Sequence, residues 1–399
     1  MDAKIEKIRA FIRRDKGDRV IWIVAILLCI LSMFAVYSTG SKLGDPYHKE
    51  SLWFFFKQHA LFLGIGIGIM YVFSQLNYRL LGKFSRIFLM IAVTLFVLTL
   101  AFGAAKSGAK RSISFLGLEF QTIHAIEVLF VIFTAQWIAQ AKNGINEIKR
   151  VYLPMLGVIG VMCLLIVSQK TSAGVILGIT CMVMLFASQL KMRYIAATVA
   201  VGGLAFGLLI AMLFATPLGE KLKPYGRVGT AVSRMEHFFD EGNVNREIIL
   251  SEAAIATGGL GISPGNSTQA AKVGQSYSDY IYAFIVEEYG LIVGAFVVLL
   301  YLTLFYRVHR ITRYIQSSFG MYLAFGLGFL IVFQAITHIC VCCGLFPATG
   351  ETLPLVSRGG TSILITSFCF AILLNLSIEA EKDRQQLKES KNRPINNLV

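Results

Sequence analysis

Along almost the whole chain, apolar runs of about 18 to 28 residues alternate with short polar breaks, a length that fits helices crossing a hydrocarbon core about 30 Å thick. Membrane strands would instead change polarity at every second residue, and these runs do not. Ten runs are present, at 20–38, 52–74, 87–104, 122–140, 152–168, 172–189, 194–215, 279–306, 317–345 and 361–377. The pattern predicts an all-α polytopic membrane protein with ten transmembrane helices and both termini on one side.

Basic residues choose that side. With the termini in the cytoplasm, the inner segments hold 23 Lys and Arg and the outer ones 13, the bias expected of inward-facing loops. This puts the longest loop, 216–278 between the seventh and eighth helices, outside the cytoplasm, together with 105–121 and 346–360. The expected organisation is a basic cytoplasmic segment (1–19), a membrane domain (20–377) and a charged cytoplasmic tail (378–399). The N-terminus lacks a small-residue cleavage site after its first apolar run, so that run reads as a retained span.

Composition adds limits. Hydrophobic residues make up 56% of the 399, charged residues only 15%, and the mean hydropathy is +0.67, more apolar than a soluble domain of this size needs. A net charge of +14 would suit nucleic acid, but the basic residues are scattered over short loops rather than gathered on one soluble face, so nucleic acid is not the expected partner. All seven cysteines lie in apolar runs and read as packing residues rather than a disulfide framework. There is no Walker sequence, which argues against ATP-driven transport by this chain.

The stretch 257–290, TGGLGISPGNSTQAAKVGQSYSDYIYAFIVEEYG, carries Asp279, Glu287 and Glu288 into an apolar run. A charged side chain in hydrocarbon costs about 2.5 to 3.5 kcal/mol on insertion scales, so such residues face a cavity or a partner. On a continuous helix Glu287 lies about 80° round from Asp279 and about 12 Å deeper, while Glu288 points the opposite way. Asp279 follows Ser278 at the predicted helix start, where it either meets the helix dipole or serves as a general base at the water boundary. Glu287 is expected in a cavity below it and Glu288 toward another helix.

In GLFPATGETLPLVSRGGTS, 344–362, Pro347, Gly350, Pro354, Gly359 and Gly360 rule out one continuous helix, and non-helical backbone at membrane depth is tolerated where it lines a cavity. Arg358 with the two glycines after it offers a guanidinium and approachable amides to an anion, or forms a re-entrant turn with a snorkelling arginine. His124 and Glu127, three residues apart, share a helix face as a satisfied pair or as cavity residues. Lys110 and Arg111 bind phosphate, or lipid headgroups. His338, Cys340, Cys342 and Cys343 lack the spacing of a zinc site and read as packing residues. The run Gly258, Gly259, Gly261 reads as a close-approach turn or as small-residue packing, since no strand–helix unit surrounds it as a dinucleotide site requires.

Together these stretches resemble the SEDS family, that of FtsW, RodA and SpoVE, over nearly the whole chain. GGLGISPGNSTQ, YSDYIYAFIVEEYG and FQAITHICVCCGLFPATGETLPLVSRGGTS are similar to that family's motifs in order and spacing. PGNS and TGETLPLVSRGG look most like the FtsW, division-type branch. The resemblance implies a peptidoglycan glycosyltransferase, a ten-span fold that polymerises lipid II into glycan strands at the outer face of the bacterial cytoplasmic (inner) membrane. It also implies a monofunctional class B transpeptidase (a penicillin-binding protein) and other divisome membrane proteins as partners.

By the same resemblance Asp279 is the base that deprotonates the acceptor sugar's 4-hydroxyl, and undecaprenyl pyrophosphate is the leaving group. Cations should stabilise that anion. Lys110, Arg111, Lys272 and Arg358 are the candidates, with Gln269 and Ser357 completing the substrate-binding set and His124, Glu127 and Glu287 lining the cavity. A divalent cation, Mg or Mn, could assist, although no metal-ligand cluster is apparent. The chain departs from the family pattern in four places. The family's QPSE pattern with a lysine three residues later is here Gln121, Thr122, Ile123, His124 and then Glu127, so acid and base exchange places. Its QPD-like turn is Gln169, Lys170, Thr171; its leucine-proline before the catalytic loop is Val273, Gly274; and Arg358 stands for a common tyrosine. Two other functions fit the same residues: a lipid-linked precursor transporter (flippase) with buried Lys57, His124, Glu127 and Glu287 along its path, and a non-enzymatic scaffold that activates the transpeptidase.

Overall fold

The computed structural model describes residues 17–42, 49–106, 109–115, 118–141, 147–188, 190–215, 245–273 and 276–392. The chain begins with α1 (Arg19–Lys42), α2 (Lys49–Phe73), a short α3 (Arg79–Lys83) and α4 (Ser85–Phe102). Three strands follow, β1 (Ala104–Lys106), β2 (Ala109–Phe115) and β3 (Leu118–Gln121), and then α5 (Thr122–Gln140). A π turn, Ile148–Tyr152, runs into α6 (Leu153–Val167), where Pro154 sits in the first turn and its missing N–H costs no helical bond. Next come α7 (Thr171–Ala187), α8 (Met192–Ala215), α9 (Arg246–Gly258), α10 (Ile281–Tyr289), α11 (Leu291–Tyr314), α12 (Ser318–Cys342) and α13 (Thr361–Asn392).

Among the described residues, eight helices are long and apolar enough to cross a membrane, and two shorter apolar stretches, Thr171–Ala187 and Met192–Leu204, lie where the sixth and seventh spans are expected. The chain is an integral membrane protein with helical spans. Within α5, α12 and α13 the apolar window is 67%, 61% and 67% buried, against 22% in α4 and 28% in α2 and α6. Those three helices contact one another and form the interior. Outer helices turn large apolar side chains outward, among them Ile23, Ile30 and Phe34 of α1, as contact with lipid requires.

Three features depart from the expected pattern. Residues 104–121 form an antiparallel meander, β1 with β2 and β2 with β3, with Ser112 opposite Gln121. From Ser112 to Phe115 the sequence SISF alternates polar and apolar residues between two membrane helices, the period of a strand rather than a helix. The last helix continues unbroken to Asn392 through what was expected to be a separate tail, and Asp383 accepts a hydrogen bond from the Gln316 N–H at 2.8 Å. Of the expected N-terminal segment, outer loop and tail, residues 1–16, 216–244 and 393–399 lie outside the described residues.

The third departure bears on the site: the predicted eighth span, 279–306, is two helices. Gly290 stands between α10 and α11 with φ 88°, and a Cβ there would lie 2.7 Å from the Leu260 carbonyl oxygen. Gly261, at φ 97°, faces it so closely that a Cβ would lie 2.9 Å from both the Glu288 carbonyl oxygen and the Gly290 nitrogen. Backbone therefore meets backbone. The Ile262 N–H donates to the Glu287 carbonyl at 3.0 Å, and the Leu291 N–H donates to the Gly259 carbonyl at 3.0 Å. The close approach read from the glycine run is present, and it interrupts the span.

Gly261→Ala should therefore cost about 1 to 3 kcal/mol, through a strained φ and a forced backbone separation. Thermal unfolding of the detergent-solubilised protein measures it. Gly160→Ala, where a Cβ meets nothing within 4 Å, is the control and should cost nothing.

Candidate active site

Between α12 and α13 the chain has no regular helix, yet 351–357 is buried. Its carbonyls find partners in helix side chains. His338 Nδ1 bonds the Glu351 carbonyl at 2.8 Å, the Tyr301 hydroxyl donates to the Pro354 carbonyl at 2.6 Å, and the Ser32 hydroxyl donates to the Val356 carbonyl at 2.6 Å. A carbonyl can only accept, so the proton of His338 sits on Nδ1. Three helices thus replace the hydrogen bonds that a proline- and glycine-broken segment cannot make for itself.

Ser357 joins this loop to the turn 276–280. Its hydroxyl donates to the Ser278 carbonyl at 2.6 Å and accepts from the Leu353 N–H at 2.8 Å. The Arg358 N–H donates to the Tyr277 carbonyl at 3.0 Å; its guanidinium lies 5.4 Å from the Tyr277 ring centroid and donates to Gln58 Oε1 at 3.1 Å. Asp279, at the head of α10, is held against the loop, with Oδ2 3.3 Å from where a Cβ on Gly350 would stand. The Ser278 hydroxyl donates to its Oδ1 at 3.0 Å. The side chain keeps some exposed surface but is enclosed on most sides. Burial pushes its carboxyl above the ordinary aspartate pKa, and the Ser278 hydroxyl and the Lys170 charge offset part of that rise.

A cation arrives from α7. Lys170, just before that helix, pairs with Glu351 Oε2 at 2.9 Å, with side chains 8% and 0% exposed. Glu351 also accepts from the Ser172 hydroxyl at 2.7 Å and from the Gln334 amide at 3.2 Å. Burial alone would raise the Glu351 carboxyl, but the Lys170 ammonium foremost holds it below the usual carboxylate range. From Gln334 the polar file continues to His124 Nδ1 at 3.4 Å and on to Glu127 at 3.1 Å. It runs between α5, α12 and α13, beside a cavity of about 20 Å³ lined by His124, Glu127, Gln334, Thr352, Ser362 and Cys369, room for about one water.

The expected site residues are assembled only in part. His124 and Glu127 line the cavity as a bonded pair. Glu287 does not line it: buried in α10, it accepts from the Ser267 hydroxyl and, at 3.0 Å each, from the Thr268 N–H and hydroxyl. Asp279 precedes the helix that starts at Ile281, so it and Glu287 are not related by helical rotation. Glu288 does face another helix, accepting from Ser38 of α1. Lys272 and Gln269 bond each other at 3.1 Å on an exposed side. Lys57 is exposed, 5.4 Å from the Trp53 ring centroid, not buried along a path. Lys110 and Arg111 lie in β2, and their side chains are outside the described residues.

Among the described residues no group of three or more His, Cys, Asp or Glu is placed to hold a metal ion, and both Glu351 oxygens are already engaged. Lys170 and Glu351 stand outside the site expected from sequence. Their signal was there: a lysine in a three-residue break between two apolar runs, and a glutamate in a proline- and glycine-rich loop, each a charge that hydrocarbon does not tolerate alone.

Fold and site define a polytopic helical membrane protein with a buried re-entrant loop and a carboxylate at a helix break. The chain belongs to the FtsW/RodA/SpoVE family, described as cell cycle protein, whose model matches residues 18–382. It is 27% identical over 370 residues to stage V sporulation protein E of Bacillus subtilis, covering 92% of this chain and 98% of that protein. To the probable peptidoglycan glycosyltransferase FtsW of Alcanivorax borkumensis it is 29% identical over 384 residues, covering 91% and 94%. Among solved structures, one chain described under structural coordination of polymerization and crosslinking by a peptidoglycan synthase complex matches with a TM-score of 0.71, 21% identity and coverage of 93% and 99%. The rod shape determining protein RodA of Thermus thermophilus matches with a TM-score of 0.62, 19% identity and coverage of 90% and 96%.

Ser357→Ala would leave the Leu353 N–H and the Ser278 carbonyl without their shared partner, at a cost of about 1 to 3 kcal/mol. Thermal unfolding in detergent should show that loss; an unchanged midpoint would mean that the loop and turn are joined by other contacts.

Proposed function

We propose that this chain is a membrane glycosyltransferase that polymerises lipid II into glycan strands at the outer face of the bacterial cytoplasmic membrane, with Asp279 as general base. The observation that carries the reading is the placement of Asp279. It is a carboxylate at a helix break, with some surface open, a proton affinity raised by burial, and cationic side chains on the same end of the helix bundle. A base whose pKa is raised toward working pH takes a proton more effectively than an ordinary aspartate. The names of the relatives point to the same chemistry.

In the reaction the acceptor 4-hydroxyl gives its proton to Asp279 as its oxygen bonds the anomeric carbon of the donor. The bond from that carbon to the pyrophosphate oxygen breaks, and undecaprenyl pyrophosphate leaves with the electron pair. Arg358, beside Tyr277 and one residue from Ser357, is the described cation best placed to meet that charge; Lys110 and Arg111 complete the proposed set, and a divalent ion enters only as a companion of the pyrophosphate. Both termini lie in the cytoplasm, the site faces outward, and a class B transpeptidase with other division proteins is the working partner.

Purified protein with its transpeptidase, given labelled lipid II, should make glycan polymer visible on a gel. Asp279→Ala and Asp279→Asn should each reduce the rate about 100-fold or more. Because the ionised carboxylate is the active form and its pKa is raised, the rate should fall as pH drops and begin to fall at a higher pH than an aspartate near 3.9 would give. Polymerisation by Asp279→Asn at the native rate, or vesicles that translocate lipid II without making polymer, would overturn the reading.

A further inference from the structure

Lys170 and Glu351 take no part in the proton transfer just described, yet they are charges built in beside it. Among the described residues Lys170 is the only buried lysine or arginine. A buried ion pair contributes little stability over apolar residues of the same shape, because desolvation consumes most of the attraction. Its presence here asks for another role, and its position supplies one.

Ser172 bonds the Thr349 carbonyl at 3.2 Å and the Glu351 carboxylate at 2.7 Å, so it grips the loop on either side of Gly350. Gly350, at φ 65°, is the residue against which Asp279 Oδ2 rests. Lys170, Ser172 and Glu351 therefore form a clamp one residue from the surface that the Asp279 carboxylate touches. The groups that act electrostatically on the Asp279 carboxyl are Ser278 from its own turn, Lys170 from the start of α7, Glu351 from the loop, Glu247 from α9 and Cys342 from the end of α12. Of these only Lys170 is a cation.

Resting on the glycosyltransferase reading above, we propose that Lys170 and Glu351 are positioning residues for Asp279: Glu351 fixes the Lys170 ammonium, and that ammonium sets the field in which Asp279 takes the acceptor proton. Opposite changes then have opposite effects. Removing the cation makes the Asp279 carboxylate harder to keep ionised. Removing the anion leaves the Lys170 charge less compensated and makes Asp279 easier to ionise.

The test is the pH profile of lipid II polymerisation by the full chain with its transpeptidase. Relative to the native protein, Lys170→Met should move the acid-side fall in rate to higher pH, and Glu351→Gln should move it to lower pH. The two variants should differ about threefold or more in the ratio of acid-side rate to plateau rate. Lys170→Arg, which keeps the charge, should restore the native profile. Glu351→Gln is nearly isosteric and keeps acceptors for Ser172, so its shift decides the sign even if Lys170→Met does not fold.

A purely structural pair would lower the melting temperature or the plateau rate of both variants and leave the acid limb in place; that result, or a shift of both variants in one direction, overturns the proposal. The two levels fail separately. If native protein makes no polymer, or Asp279→Asn makes it normally, the glycosyltransferase reading fails; if both behave as expected and the acid limb of Glu351→Gln does not move, only the Lys170–Glu351 role fails.

Discussion

Everything around the buried loop of this protein depends on one constraint: backbone that is not helical cannot sit at membrane depth unless something else satisfies its polar groups. The loop between the twelfth and thirteenth helices meets that requirement with three side chains from three helices, Ser32, Tyr301 and His338, each on a different carbonyl. Two of those bonds flank Leu355, a non-glycine residue held at φ 62°. A left-handed leucine is strained and persists where the surroundings over-determine it. The bonds at Pro354 and Val356 are what over-determine it here.

Rigidity of the loop passes to the carboxylate. Asp279 lies in a turn, which by itself is a poor support for chemistry that tolerates errors of about 0.5 Å. It is fixed because Ser357 holds the turn from inside the loop, Arg358 holds it through the backbone, and Gly350 presents a flat surface for the carboxylate. The loop is thus the template on which the Asp279 carboxylate is placed. Within α10, Glu287 does a comparable job for the 267–268 segment, so the acid in the helix and the acid in the turn before it have different duties: Glu287 organises a loop, and Asp279 is organised by one.

Much of this was legible in the residues. Length and hydropathy of the apolar runs define the membrane helices, because hydrocarbon leaves few alternatives, and the prolines and glycines of 344–362 announce the break between the last two. The break at Gly290 was not legible as a break. A glycine inside an apolar run is compatible with a continuous helix, and only the approach of Gly261, 29 residues earlier, excludes one. The same limit applied to the side chains. His124 and Glu127 are neighbours by helical spacing and so were visible as a pair, whereas Lys170 and Glu351 meet across 181 residues of chain. Local rules report what is near in sequence, and most of the polar file is near only in space.

That file also bears on how roles are carried from one relative to another. At 29% identity or less, single positions in a buried network cannot be equated by charge type, since a low-dielectric interior balances the whole set. Here an acid and a base on α5 pair with each other, and the cation that meets the loop carboxylate comes from the start of α7. Asp279 differs from them because its position is set by backbone contacts to the loop rather than by the charges around it, so the identity of the balancing cation is read from this chain's own packing.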